Sequence, residues 1–174
     1  MDYQIAYTPP PVYERARAKF GIDFKRDRLV MVYGDTIHQS FQEPMTPDLL
    51  NHELVHVRQQ AAYPGGADAW WERYLADRDF RVSQELEAYQ TQHQWASKHY
   101  GRRERRNLLD HCARDLSGHI YGKAMTFAQA RDRIQDTDLP TVVKVSHHGS
   151  ADQSKEFYER IGADVALISV GKSN

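Results

Sequence analysis

The segment His52-Glu53-Leu54-Val55-His56 combines residue types and spacing that could do chemistry. On a helix, residues four apart differ by about 40° in rotation and about 6 Å in rise, so both imidazoles leave one face. Two ring nitrogens placed in this way can share one Zn2+ at about 2.0–2.1 Å each. Glu53 follows His52 by one position and precedes His56 by three. Its carboxylate therefore lies beside such a metal without ligating it, where it can take a proton from an activated water. Leu50, Leu54 and Val57, at i, i+4 and i+7, supply the apolar face that would hold the helix rigid. With nine His and nine Glu in the chain, random placement yields this pattern about 2 % of the time. The plainer reading is two surface histidines on an amphipathic helix. It is outweighed because the helix start, the apolar face and the downstream acids all agree with a metal site.

A catalytic zinc takes three protein ligands and keeps one position for water. The third ligand is expected from Gln84-Glu85-Leu86-Glu87-Ala88-Tyr89. Glu85 and Glu87 lie two apart, about 200° in direction on a helix, so only one can face the metal. Glu85 is the leading candidate and Glu87 the alternative. Each could otherwise be an acid in a first helical turn, favoured there by the macrodipole.

The elements that must position these residues are legible in outline. Pro11 opens a short helix, Val12 to Phe20, that Gly21 ends. Residues 29–33 and 36–39 read as strands joined by a turn at Gly34-Asp35. Thr46 as N-cap, Pro47 and Asp48 start the helix of the His motif, expected over 47 to about 60. A helix over 67–77 carries Trp70, Trp71 and Tyr74. Ser83 is expected to cap the next, 84 to about 100, which Gly101 stops. Residues 102–116 form a fourth long helix with Leu108, Leu109, Cys112 and Leu116 as its apolar stripe, and Thr126 caps a short one ending near Ile134. After Pro140 come two β-branched strands, 141–145 and 165–170, around a short helix at 153–161. The expected class is α+β, mostly helical, with a boundary near residue 137.

Composition fits this outline. The 174 residues suggest one domain, or one with an appendage. A 40 % hydrophobic share, 27 % charged residues and a mean hydropathy of -0.75 describe a wet surface around a real core. A net charge of -1 argues against a general coat for nucleic acid or membrane. No apolar run approaches the ~20 residues of a membrane span. A start lacking a signal-peptide pattern, with Cys112 the one cysteine, points to a reducing, cytoplasmic setting.

His52-Glu53-Leu54-Val55-His56, an HExxH motif, together with Glu85-Leu86-Glu87-Ala88-Tyr89 resembles gluzincin-type zinc metallopeptidases. In that superfamily the third ligand is commonly the Glu that opens a Glu-x-x-Ala or Glu-x-x-x-Asp stretch, which corresponds to Glu85. Tyr89 stands where some relatives have Asp. The segments around His56-Val57-Arg58-Gln59, Trp71-Glu72-Arg73-Tyr74-Leu75 and Leu116-Ser117-Gly118-His119-Ile120-Tyr121-Gly122 are similar to small zincin-like proteins of phages and bacteria. This resemblance covers about residues 10–136. It implies a zincin-like core over 1–137, with an edge strand beside the active helix. It also implies a hydrolase with Glu53 as catalytic base, His52, His56 and Glu85 as zinc ligands, and a peptide or protein as substrate.

Val143-Lys144-Val145-Ser146-His147-His148-Gly149-Ser150 and the strand ending in Val170-Gly171-Lys172-Ser173-Asn174 resemble the end of another domain. It is the metallo-β-lactamase-like domain of competence DNA-uptake channel proteins. The upstream His-x-His-x-Asp-His loop of that domain is missing, so residues 138–174 read as an incomplete fragment, with His147 and His148 as polar turn residues. At 37 residues this stretch falls below the ~40 that fold unaided.

The remaining candidates take ordinary readings. Arg102, Arg103, Arg105 and Arg106 form a basic cluster, expected to be a solvated helical face, so nucleic acid is not expected as a partner. Trp70, Trp71, Trp95 and Tyr74 are expected to pack the core. His119 and Tyr121 are candidates for the cleft wall, and Cys112 is expected to be an inert core thiol. His93, His99 and His111 show no site spacing. Two functions compete with a peptidase: a non-catalytic, zinc-stabilised phage or prophage structural or interaction protein, and a DNA-uptake-related fragment.

Overall fold

The computed structural model describes residues 2–136 and the two strands Val142–Val145 and Val165–Ile168. The chain divides into two units, Met1–Thr137 and Asp138–Asn174. The described part of the first unit is mostly helical α+β. It holds β1 (Gln4–Ala6), α1 (Tyr13–Phe20), β2 (Val30–Tyr33), β3 (Thr36–Gln39), α2 (Pro47–Ala62) and α3 (Gly66–Ala76). These are followed by α4 (Arg78–His99), α5 (Arg102–Leu116) and α6 (Phe127–Gln135).

The three strands form a mixed sheet in the order β1-β3-β2. The β2–β3 hairpin closes through Gly34, whose positive φ of 65° suits the first central position of a type II′ turn. Its register pairs Tyr33 with Thr36 and Val30 with Gln39. β1 runs parallel to β3, Ile5 opposite Ile37. It was not expected from the sequence: three largely exposed residues carry no alternation to read.

The start of α4 is a correction. Ser83 lies inside the helix, its hydroxyl donating to the Phe80 carbonyl. The cap is Asp77, whose carboxylate accepts from the N–H groups of Asp79 and Phe80, each at 3.0 Å. A charged acceptor satisfying two orphan donors defines the earlier start. At α6, Thr126 does cap, accepting from the Gln129 N–H. Thr46 occupies the N-cap position of α2 in an extended conformation but makes no side-chain capping bond.

Three apolar clusters hold these elements. Val57 packs on Val32 and Ile37 of the sheet, with Leu50 and Leu54 partly buried beside them, so the apolar face of α2 rests on β2 and β3. Trp70, Trp71 and Tyr74 of α3 join Met31 of β2 and Val12, Tyr13 and Ala16 at α1. Leu109, Cys112 and Leu116 of α5 meet Val82 and Tyr89 of α4 and Ile134 of α6. Trp95 is only half-buried and stacks on His99. Cys112 is buried, and burial above all raises its thiol pKa to about 12, as expected of an inert core thiol.

α2 and α4 are clamped together at both ends. Near the start of α2, the buried Asp48 accepts from Gln92 at 2.8 Å and from Tyr100 at 2.6 Å. Near its end, Gln59 donates to the Gln84 carbonyl and Arg58 to Glu87. Gln60, 1 % exposed, ties α2 to the sheet by donating to the Val32 carbonyl and accepting from the Gly34 N–H.

In the second unit the two described strands, β4 (Val142–Val145) and β5 (Val165–Ile168), pair in parallel with Val142 opposite Val165. The helix expected at 153–161, and His147 and His148, lie outside the described residues. Among the described residues no helix is long and apolar enough to cross a membrane.

Candidate metal centre

Between its two clamps, α2 presents His52 and His56 toward α4. α4 answers with Glu85, and all three side chains are buried. The Nε2 atoms of the two imidazoles lie 3.3 Å apart. Glu85 Oε2 is 3.6 Å from His52 Nε2, and Glu85 Oε1 is 3.7 Å from His56 Nε2. Ligands at about 2.0–2.2 Å around a tetrahedral ion sit about 3.3–3.6 Å from one another. The two distances to Glu85 run to different carboxylate oxygens; taking one donor atom from each residue, all three lie within 4.8 Å of one another, so His52, His56 and Glu85 could hold a metal ion. Glu87 lies outside this group. Its carboxylate accepts from Arg58 at 2.7 Å and Gln59 at 2.9 Å.

The electrostatics also fit a cation. Burial by itself would depress His56, but the charge of Glu85, its acceptor oxygens and the charge of Glu53 outweigh it and push the imidazole up to about 9. Burial would likewise raise Glu85, yet His56 and His52 hold it well below the ordinary carboxylate range. Two imidazoles and a carboxylate so arranged in a low-dielectric interior attract positive charge, whether a proton or a metal. Gln59 Oε1 lies 2.8 Å from His56 Nδ1. Accepting a proton there directs the lone pair of Nε2 toward the cluster. His52 Nδ1 is buried without a partner. The nearest aromatic is Tyr89, packed edge-on at 4.6 Å between ring centroids.

Glu53, also buried, lines the same small cavity of about 130 Å³ as His52, His56, Glu85, Tyr74 and Tyr121. Burial raises its pKa; the two histidines oppose this and Glu85 adds to it. His52 and Glu53 also line a larger cleft of about 760 Å³, whose wall includes Tyr89, His119 and Tyr121. His119 and Tyr121 thus lie where a cleft wall was expected.

Two contributors were not evident from the sequence. Tyr74, read as a packing aromatic, donates its phenol to Glu85 Oε1. Arg81, 5 % exposed, donates to the carbonyls of Tyr74 at 2.6 Å and Ile120 at 2.9 Å, fixing both near the site. A buried tyrosine hydroxyl needs a partner, but nothing in the spacing names Glu85 as that partner. Comparison with known proteins adds no relative: no family model, no curated protein and no solved structure matches this chain.

Proposed function

We propose that the protein is a zinc-dependent hydrolase, a metallopeptidase, with His52, His56 and Glu85 holding the ion and Glu53 as general base. The observation that carries this reading is the convergence of three buried donors, within 4.8 Å of one another, with Glu53 in the same cavity. When bound, zinc supplies a Lewis acid that polarises a carbonyl and lowers the pKa of water. Glu53 accepts a proton from the attacking water and delivers it to the leaving amine. A carboxylate raised by burial is a better match to that task than an exposed one. In this reading Tyr121, a phenol at the cleft wall, would donate to a developing oxyanion.

The zincin-like reading draws support from β2. It is one of the two edge strands of the three-stranded sheet, and Val30, Met31 and Val32 line the cavity beside α2. A cleft of about 760 Å³ suits a short stretch of peptide. Under this reading residues 1–137 are the peptidase unit and 138–174 an incomplete metallo-β-lactamase-like appendage, in a cytoplasmic protein.

The test measures zinc content and hydrolysis of a peptide library by the wild type and Glu53→Gln. Bound zinc, with turnover lost in the variant, is expected. A folded wild type that takes up no zinc would reject the proposal.

The burial of all three donors favours a second reading, a non-catalytic protein that uses zinc to hold α2 on α4. Chelation separates the two. A purely structural ion gives a large fall in melting temperature with no hydrolysis to lose.

A further inference from the structure

A second cleft, of about 320 Å³, is formed by residues of α4, α5 and α6 that the metal centre does not use. Its polar wall consists of His93 from α4, Arg102, Arg105 and Arg106 from α5, and Arg131 and Gln135 from α6. His93 is only 9 % exposed, and among the described residues its ring makes no hydrogen bond. Its ring nitrogens are not sealed from solvent, so they remain open toward the cleft that His93 lines. Burial first, then the charges of Arg105 and Arg131, lower its pKa. It therefore faces the cleft as a neutral ring with one N–H to donate.

The arginines are placed against their own local stability. Arg102, Arg105 and Arg106 occupy i, i+3 and i+4 of α5, where like charges repel. They also crowd the helix N-terminus, whose partial charge is already positive. Among the described residues none of the three forms an ion pair. Arg131, in contrast, is held in place by Asp110 at 3.0 Å and Gln135 at 3.3 Å. Arg102 and Arg106 extend the basic surface into an adjoining cleft with Arg103 and Asn107, where Asp110 is the one acid in the wall. Repulsion concentrated on one wall, beside an imidazole without a partner, is relieved by a multivalent anion whose geometry matches guanidinium forks.

We propose that this cleft binds a phosphate-class oxyanion, gripped by Arg102, Arg105, Arg106 and Arg131 and hydrogen-bonded by His93. A phosphorylated small molecule and a phosphodiester backbone share that chemistry. The proposal does not depend on the metal centre.

The full chain is titrated with inorganic pyrophosphate by calorimetry and with a labelled single-stranded oligonucleotide by fluorescence anisotropy, at matched ionic strength. Saturable binding is expected, weakened at least tenfold in an Arg105→Gln/Arg106→Gln double variant and unchanged in Arg15→Gln. Zinc content should be the same in all three proteins. Binding of pyrophosphate alone assigns a small phosphorylated ligand; arginine-dependent binding of the oligonucleotide assigns the backbone. Failure of both probes to saturate, or equal binding by the double variant with its helical circular dichroism intact, would overturn the proposal.

Discussion

The phenol of Tyr74 on α3 donates a hydrogen bond to Oε1 of Glu85 on α4. That bond orients the carboxylate, with Oε1 also 3.7 Å from His56 Nε2 and Oε2 3.6 Å from His52 Nε2. Tyr74 is itself fixed, its ring stacked on Trp70 and its carbonyl held by Arg81. α3 therefore contributes to the candidate metal centre without offering one of its three candidate ligands.

Tyr74→Phe keeps the ring packing and deletes only the donor. Zinc affinity, measured by competition with a chromogenic chelator, should fall about 10–100-fold, as for other partners that orient a metal ligand. An unchanged affinity would mean that Tyr74 merely fills space.

Glu53→Gln should retain zinc in full while hydrolysis falls about 10²–10⁴-fold, the usual range for a lost general base. Metal analysis and turnover on the same sample check this. Loss of the ion would instead make Glu53 part of the binding set.

The metal-free protein should show a pH dependence that zinc removes. His56 rises from 6.5 to about 9 on folding, so its stabilisation is complete below about pH 6.5 and fades as pH climbs through about 9. Glu85 is lowered from 4.5, so its contribution is present above that pH and is lost on acidification. Melting temperature without metal should therefore decline between about pH 6.5 and 9. Thermal scans of His56→Gln should lack that decline, and zinc should abolish it in the wild type.

Gln60→Leu tests how the site is held on the sheet. The change strands the Gly34 N–H, while the Val32 carbonyl keeps its bond from Trp71 at 2.9 Å. A cost of about 1–3 kcal/mol is expected, read as a lower melting temperature with zinc stoichiometry intact.

Local signals made α2 readable: proline at its first position and an apolar face at i, i+4 and i+7 are properties of one segment. The same holds for the Gly34 turn and for the Thr126 cap. Asp77 was passed over because Ser83 is also a capping type, and only the backbone geometry decides which of them meets free N–H groups. β1 had no local signature, since its pairing partner lies some 30 residues away at Thr36–His38.

The metal centre divides along the same line. The alignment of His52 with His56 follows from the helical repeat, and Glu53 falls beside them for the same reason, so those relationships were set by sequence alone. Whether Glu85 or Glu87 joined them could not be, because each points a different way from one helix. The clamps from Asp48 to Gln92 and Tyr100, and from Arg58 and Gln59 to Glu87 and Gln84, fix how α4 is turned against α2. That rotation brings Glu85 inward, leaves Glu87 with Arg58, and brings a tyrosine from a third helix to hold the carboxylate. Contacts between helices distant in sequence depend on packing, which no spacing rule encodes.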